Sequence, residues 1–284
     1  MRKNVIIYTR FSLVNFNLTK AWKSARMSPD QEKYIEKIMD TERLKVRYDI
    51  FMNYSIPLLI MAREEHPDLD INLIVHSSTT LPKNMQMQLK NLSYNNSWVV
   101  VDFFTPDELY SAKESFINLM ASKTNLNETE IVPVMRLDDD DLMSPFYFNL
   151  LKKYINPSFS GFTFHTPRGY EALYDGSRFV CFSPMDAPKT GIGLAYLATW
   201  CSKEKKFTSE YILPPGSHAN TDMFAPVILD GSLPTICRTK HFFNDARSTK
   251  DGYSFTTVES IESRFFNEKI DLKKVAENFP IFNH

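Results

Sequence analysis

Ile131-Val132-Pro133-Val134-Met135-Arg136-Leu137 runs directly into Asp138-Asp139-Asp140-Asp141, and Leu142-Met143-Ser144-Pro145 follows. A short apolar run closed by polar residues reads as a buried strand. Four adjacent like charges repel one another, so stability alone gives no reason to keep them side by side. On an extended segment alternate side chains share a face, which predicts that Asp138 and Asp140 point the same way. Ser144-Pro145 then marks the start of a helix that fixes the turn.

Working outward, similar runs recur upstream. Val5 to Tyr8, Asp70 to His76 and Trp98 to Phe104 each read as a strand. Between them lie helical patterns. Ser28-Pro29-Asp30 supplies an N-cap and a first-turn proline, and Tyr34, Ile35, Ile38 and Met39 follow at helical spacing. Leu44, Tyr48, Phe51 and Met52 extend the pattern, Pro57 kinks it, and His66-Pro67-Asp68 ends it. Leu81-Pro82 opens a helix through Leu92, and Thr105-Pro106-Asp107-Glu108 opens one running towards Lys123. This alternation predicts an α/β fold with a Rossmann-type, mostly parallel sheet flanked by helices. Such sheets bind ligands at the carboxyl ends of their strands.

After a helix near Phe146 to Tyr154 the pattern loosens. Arg178 to Phe182 reads as an antiparallel strand, and Leu194 to Trp200 as strand or helix. We expect one domain over 1–284, with a regular half to residue 157 and a loop-rich half over 158–284.

Composition narrows the function. The 284 residues are 43% hydrophobic, enough for a core. Lys+Arg number 33 against Asp+Glu 34, so no global excess of cations favours nucleic acid as a partner. Cys181, Cys201 and Cys237 form no CxxC pair and predict no disulfide framework. The apolar runs are too short for a signal peptide or a transmembrane segment, which need about 20 apolar residues for a span. A cytoplasmic protein is expected, with peripheral contact at the inner face of a membrane left open. Glycines number only 8, and Gly191-Ile192-Gly193 is too short for a phosphate loop.

The carboxylate cluster supplies hard oxygen ligands suited to Mg²⁺ or Mn²⁺, a metal commonly shared with substrate phosphates. Arg136 either offsets the repulsion or meets a diphosphate. The charges of Arg43, Lys45 and Arg47 read mostly as a solvated helix face. Most aromatics of the second half read as core, with sugar stacking as the alternative.

The strand-x-D-x-D pattern with a following proline resembles the DxD region of GT-A glycosyltransferases. More of the chain resembles a bacterial family of rhamnosyl transferases. The matching stretches are Tyr8-Thr9-Arg10-Phe11-Ser12, Glu42-Arg43-Leu44, Ile56-Pro57-Leu58-Leu59, Asn72-Leu73-Ile74-Val75, Leu81-Pro82 and Met135 to Asp141. The resemblance implies a GT-A-like fold, a nucleotide-sugar donor, a divalent cation (Mn²⁺ or Mg²⁺) and a glycan or lipid-linked glycan acceptor in surface polysaccharide synthesis. It implies donor-binding roles for Thr9, Arg10, Arg43, Arg136, Asp138 and Asp139, with Asp138 on the ribose, and a metal contact by Asp140. A late histidine is a further metal contact in such enzymes. His218, in Ser217-His218-Ala219-Asn220, fits an H-x-N pattern, with His241 second. An inverting transfer also needs a general base for the acceptor hydroxyl, for which Asp222 and Asp186 are the candidates. The rival readings are a metal-dependent phosphohydrolase or nuclease, and a non-catalytic carbohydrate- or Ca²⁺-binding module.

Overall fold

A computed structural model describes residues 2–18, 30–124, 126–244 and 270–282. The four leading strands fall where the apolar runs lie: β1 (Lys3–Phe11), β2 (Leu69–Ser78), β3 (Val99–Phe104) and β4 (Thr129–Arg136). β2 and β4 flank β1, β3 lies outside β2, and all these pairings are parallel. The pairing of β1 with β4 begins at Val134, just past Pro133, which has no N–H to offer.

Helices cover both faces, as buried parallel strands require. α1 (Gln31–Ile38) packs Tyr34 and Ile38 on Val14, just beyond β1, and on one face of the sheet lie α2 (Thr41–Ile50), α3 (Ile56–Glu65) and α4 (Lys83–Asn95). Leu44, Phe51, Leu59 and Leu89 pack there against Val5, Ile7 and Leu73. α5 (Ala112–Ser122) covers the other face, where Phe116 and Met120 meet Ile6, Tyr8 and Val134. Strand order β3-β2-β1-β4 therefore reverses its direction of growth at β1. The crevice beyond the carboxyl ends of β1 and β4 is the place where open α/β sheets take ligands.

The second half completes this sheet and adds another. Downstream come β5 (Asp141–Met143), α6 (Tyr147–Leu151), β6 (Thr163–His165), β7 (Arg168–Tyr174), β8 (Phe179–Asp186), β9 (Ala195–Cys201), β10 (Lys206–Phe207), β11 (Val227–Leu229), β12 (Ile236–Lys240) and α7 (Leu272–Asn278). β9 pairs antiparallel with β4 and carries β6 and β11 beyond it, with β10 also on β9. A second sheet has the order β5-β12-β7-β8. Gly169 is required there: a Cβ would stand 1.9 Å from the Ile236 carbonyl oxygen.

The α/β expectation is met, with local differences. Ser28 and Pro29 lie outside the described residues, and Asp30 caps α1 by accepting from the Glu32 N–H. A π-helical turn, Phe51–Ser55, joins α2 to α3, and Pro57 sits in the first turn of α3. Thr105 to Glu108 is not a helix start. The Thr105 N–H is taken by Glu108 Oε2, and α5 begins only at Ala112. The stretch read as strand or helix over 194–200 is a strand, β9, from Ala195 onward. No helix among the described residues is long and apolar enough to cross a membrane.

Candidate active site

Strand register places the site. Tyr8 stands opposite Arg136, and the Leu137 N–H reaches the Tyr8 carbonyl. Two residues further along each strand, Arg10 and Asp138 meet at 3.8 Å. Arg136 Nε lies 3.1 Å from the same carboxylate. Asp138 is one-third exposed and opens on the crevice between β1 and β4.

The chain does not stay extended beyond Arg136. The Asp141 N–H bonds back to the Asp138 carbonyl, so the aspartates turn. Alternation therefore fails, and Asp138 and Asp140 do not share a face as expected. Asp139 is enclosed between Arg47 and the Ser12 N–H, the latter at 3.0 Å. Asp140 Oδ2 takes Arg47 at 2.9 Å, His241 Nε2 at 3.1 Å and Asn244 Nδ2 at 3.4 Å. Asp141 accepts the Thr239 N–H at 3.2 Å.

Charge follows this enclosure. Burial raises the Asp139 pKa despite Arg47. Burial would do the same at Asp140, but Arg47 and His241 together hold its carboxyl below the usual range. Burial and then the charges of Asp140 and Asp138 push Asp141 well up. The fold does keep like charges side by side, contrary to expectation, because Arg47 and backbone donors compensate them.

The solvated-face reading of α2 is corrected here. Arg43 and Arg47, one turn apart, are both buried, and Lys45 is exposed. Arg43 Nη1 bonds Ser12 Oγ at 3.1 Å and the Ile38 carbonyl at 2.9 Å, so it braces the bend after β1. Ser12 there has φ 45°, a left-handed conformation that its N–H bond to Asp139 helps to hold. Thr9 is fully enclosed in β1, and Arg10 is the neighbour that reaches the crevice.

Opposite Asp138 stands the loop Lys189 to Gly193. A Cβ on Gly191 would lie 2.8 Å from Arg136 Nη2 and 3.5 Å from His218 Cδ2, so both side chains close over that glycine. His218 Nδ1 donates to the Lys189 carbonyl at 2.8 Å, which leaves Nε2 as the lone pair. Partial burial, with Arg136 and Arg238 nearby, lowers the His218 pKa. Lys189 Nζ also holds Asp222 at 2.7 Å, joining it to the same loop. Asp186 lies apart, at the end of β8 opposite Arg168.

The two histidines differ in tautomer. The Phe243 N–H donates to His241 Nδ1 at 3.2 Å. The neutral ring then carries its hydrogen on Nε2 and donates it to Asp140, which leaves no lone pair for a metal there. Metal-binding histidines ordinarily donate through the other ring nitrogen, as His218 does. Asp140 and His218 are not brought together, and Arg47 takes the place beside Asp140 that a cation would need. Arg136 likewise spans both oxygens of Asp138, at 3.1 and 3.2 Å, so a divalent ion there would have to displace it, whereas His218 Nε2 keeps a lone pair for one. Among the described residues no group of three or more His, Cys, Asp or Glu is arranged to hold one.

Arg47, Asn244, Arg238 and Gly191 were not picked out as site residues in the sequence. Only the spacing of Arg47 from Arg43, one helical turn, offered a signal.

Comparison with known proteins sets the family. The chain belongs to the family described as "Putative rhamnosyl transferase", whose model matches residues 4–253. No curated protein matches it significantly. Among solved structures it resembles S. aureus TarS 1-349 at 10% identity and TM-score 0.39, over 84% of this chain and 60% of that one. It also resembles the mannosyltransferase PcManGT from Pyrobaculum calidifontis, solved with GDP-Man and Mn²⁺, at 8% identity and TM-score 0.36, over 99% and 68%. This chain thus spans about three fifths of the TarS chain. Likenesses this loose leave the chemistry to this chain's own residues.

Proposed function

We propose that this protein transfers a sugar from a nucleotide-diphosphate donor to a glycan acceptor, in the GT-A manner. The observation that carries the reading is the sorting of the acidic run. Three of its carboxylates are buried and compensated, while Asp138 opens between Arg10 and Arg136 at the switch point of the sheet.

Arg10 and Arg136 supply fixed guanidinium donors for phosphate oxygens, the geometry that suits bidentate recognition. Asp138 takes the donor ribose or a divalent ion, and His218 Nε2 is the second side-chain donor to that ion. Mn²⁺ accepts such an oxygen and nitrogen pair more readily than Mg²⁺ does. Such an ion, when bound, offsets the charge that develops on the departing diphosphate. Asp222, held by Lys189 beside His218, is our choice for the base that takes the acceptor proton. The Lys189 hydrogen bond lowers its pKa, which keeps it ionised but makes it a weaker base until the acceptor displaces Lys189. Asp186 is the alternative. The acceptor is a growing or lipid-linked glycan of a surface polysaccharide, reached from the cytoplasmic side.

The test is turnover of a nucleotide-sugar panel with Mn²⁺, with Mg²⁺ and with chelator. Metal-stimulated release of nucleoside diphosphate is expected. His218→Gln should weaken Mn²⁺ binding, read by water-proton relaxation, by more than about tenfold. Hydrolysis of simple phosphate esters with no nucleotide sugar consumed would favour the phosphohydrolase and overturn this reading.

A further inference from the structure

Two buried polar side chains that the proposed reaction does not use meet the loop Lys189 to Gly193. His165, which ends β6, is fully enclosed, and so is Tyr147, which opens α6. His165 Nε2 lies 3.1 Å from Thr190 Oγ1 and 3.2 Å from the Ile192 carbonyl. The Tyr147 hydroxyl donates to the Gly193 carbonyl at 2.6 Å. These contacts fall on both sides of Gly191, the residue over which Arg136 and His218 close.

We infer that His165 and Tyr147 are positioning residues, which hold this loop so that the Lys189 carbonyl fixes the His218 tautomer and Lys189 Nζ fixes Asp222. The inference rests on the transferase reading only for what His218 and Asp222 do in the reaction. The Ile192 carbonyl can only accept, so His165 carries its hydrogen on Nε2 when that bond is made. The other tautomer would put an N–H on Nδ1, which is buried and has no hydrogen-bond partner among the described residues. Buried N–H groups are orphaned more rarely than buried lone pairs. Burial pushes the His165 pKa down to about 4, with His218 acting in the same direction against the Ile192 bond, so the ring is neutral at pH 7. A polar ring inside the fold costs free energy that an apolar side chain would not. Its contribution here is a donor fixed against the loop.

The loop needs such holds. Lys189 has φ 59° and Gly193 φ 65°, both left-handed, and Lys189 is not a glycine. A conformation of that kind persists only where the surrounding structure over-determines it. A Cβ on Gly193 would stand 3.0 Å from Tyr147 Cε2, so the Tyr147 ring packs directly on the chain it bonds. The Gly193 N–H reaches the Arg136 carbonyl at 3.3 Å, which ties this end of the loop to the end of β4. At the other end the Lys189 carbonyl accepts from His218 Nδ1 at 2.8 Å, and Lys189 Nζ holds Asp222 at 2.7 Å. A shift of the loop therefore moves the acceptor that decides which His218 nitrogen carries the hydrogen. Outer partners of this kind commonly orient imidazoles that face a metal.

Heteronuclear NMR of the imidazole nitrogens in the full chain tests this, with the His218 signals assigned by their loss in His218→Gln. Wild type should show His218 with its hydrogen on Nδ1. His165→Leu and Tyr147→Phe each remove a donor, and both should shift His218 towards the Nε2–H form. His165→Gln, whose amide N–H stands in for the Nε2–H, should restore the wild-type pattern. Tyr147→Phe keeps the ring packing, so it remains readable if His165→Leu does not fold. Nucleotide-sugar turnover with Mn²⁺, measured in parallel, should fall by about 10–100-fold in His165→Leu and recover in His165→Gln. A role in stability alone would lower the melting temperature and leave the His218 tautomer as in wild type. That result, or a wild-type His218 with its hydrogen on Nε2, overturns the inference. A tautomer that moves in the variants of a protein that turns over no nucleotide sugar supports the positioning and counts against the transferase reading.

Discussion

Arg47→Met is the sharpest perturbation of this architecture. The arginine joins Asp139 and Asp140, and the side chains are 7%, 1% and 11% exposed respectively. Removing one partner of a buried ion pair costs about 3–5 kcal/mol, because it leaves an uncompensated charge in the interior. Two carboxylates lose a partner here, yet each keeps others: the Ser12 N–H at Asp139, and His241 and Asn244 at Asp140. We therefore expect a loss of about 3–5 kcal/mol, not double that. The pH dependence has a definite sign. In the wild type the depressed Asp140 pKa contributes stability that is full above the unfolded value, about 3.9, and is lost as pH falls through the folded value. Without Arg47 burial dominates: the folded-state pKa of Asp140 rises above its unfolded value, and that of Asp139, raised already in the wild type, rises further. The penalty of the variant should then be largest at pH 7.5 and shrink by pH 5, as the carboxyls take up protons. Urea unfolding at both pH values reads this directly. Adding Asp139→Asn and Asp140→Asn to Arg47→Met should recover most of the loss at pH 7.5, since no charge then remains unpaired. A loss below about 1 kcal/mol at pH 7.5, or an equal loss at both pH values, would refute the compensation argued here.

Other consequences are independent of that one. Asp138→Asn should lower nucleotide-sugar turnover by about 10²–10³-fold, the usual scale for one electrostatic contact at a developing charge, with stability within about 0.5 kcal/mol. Turnover within threefold of wild type would count against Asp138. Gly191→Ala puts a Cβ 2.8 Å from Arg136 Nη2, the movable end of a long side chain. The fold should hold, while calorimetry should show weaker nucleoside diphosphate binding. Unchanged binding would mean that Arg136 is not the phosphate contact. Asp102 accepts from His76, which lowers its pKa against burial, with Ser115 adding to the effect. That contribution is present above the unfolded carboxylate pKa and lost as pH falls through the lowered one. Asp102→Asn should therefore melt below wild type at pH 7, with the gap narrowing as pH falls below about 4, and a gap that does not narrow with acid would refute the assignment.

What the sequence made legible divides along physical lines. The four parallel strands were readable because each is an apolar run, buried nearly throughout in β1, β2 and β4 and half-buried in β3 at the sheet edge, and an apolar run is a local property. The carboxyl ends of those strands were legible with them, and so was the neighbourhood of Arg10, Arg136 and Asp138, whereas the strand order that makes this a switch point came only with the structure. The fate of the three inner aspartates was not readable, because it depends on contacts across about a hundred positions. Asp140 and His241 lie 101 residues apart, and Asp139 and Arg47 lie 92 apart. The alternation rule failed for a nearer reason. It holds only while the strand continues, and the strand stops at Arg136. Reading α2 as a solvated face failed because charge was taken to mean exposure. Arginines one turn apart on one face are equally suited to meeting buried carboxylates on another element.

The near balance of 33 cationic and 34 anionic residues thus conceals two local arrangements with opposite purposes. Arg43 and Arg47 are interior, and their charge goes into holding the bend after β1 and the turn after β4 in register with each other. Arg10, Arg136 and Arg238 lie partly exposed, and Arg136 and Arg238 each act on His218. A chain with 8 glycines has little means to wrap a diphosphate in backbone N–H groups. On the proposed reading side chains take that role, and guanidinium groups do so only if their positions are fixed. The buried pair fixes them indirectly. Arg47 secures Asp139 and Asp140, those residues set the turn that begins at Asp138, and Asp138 orients Arg10 and Arg136. In this reading the inner aspartates serve the reaction by determining where the outer one stands.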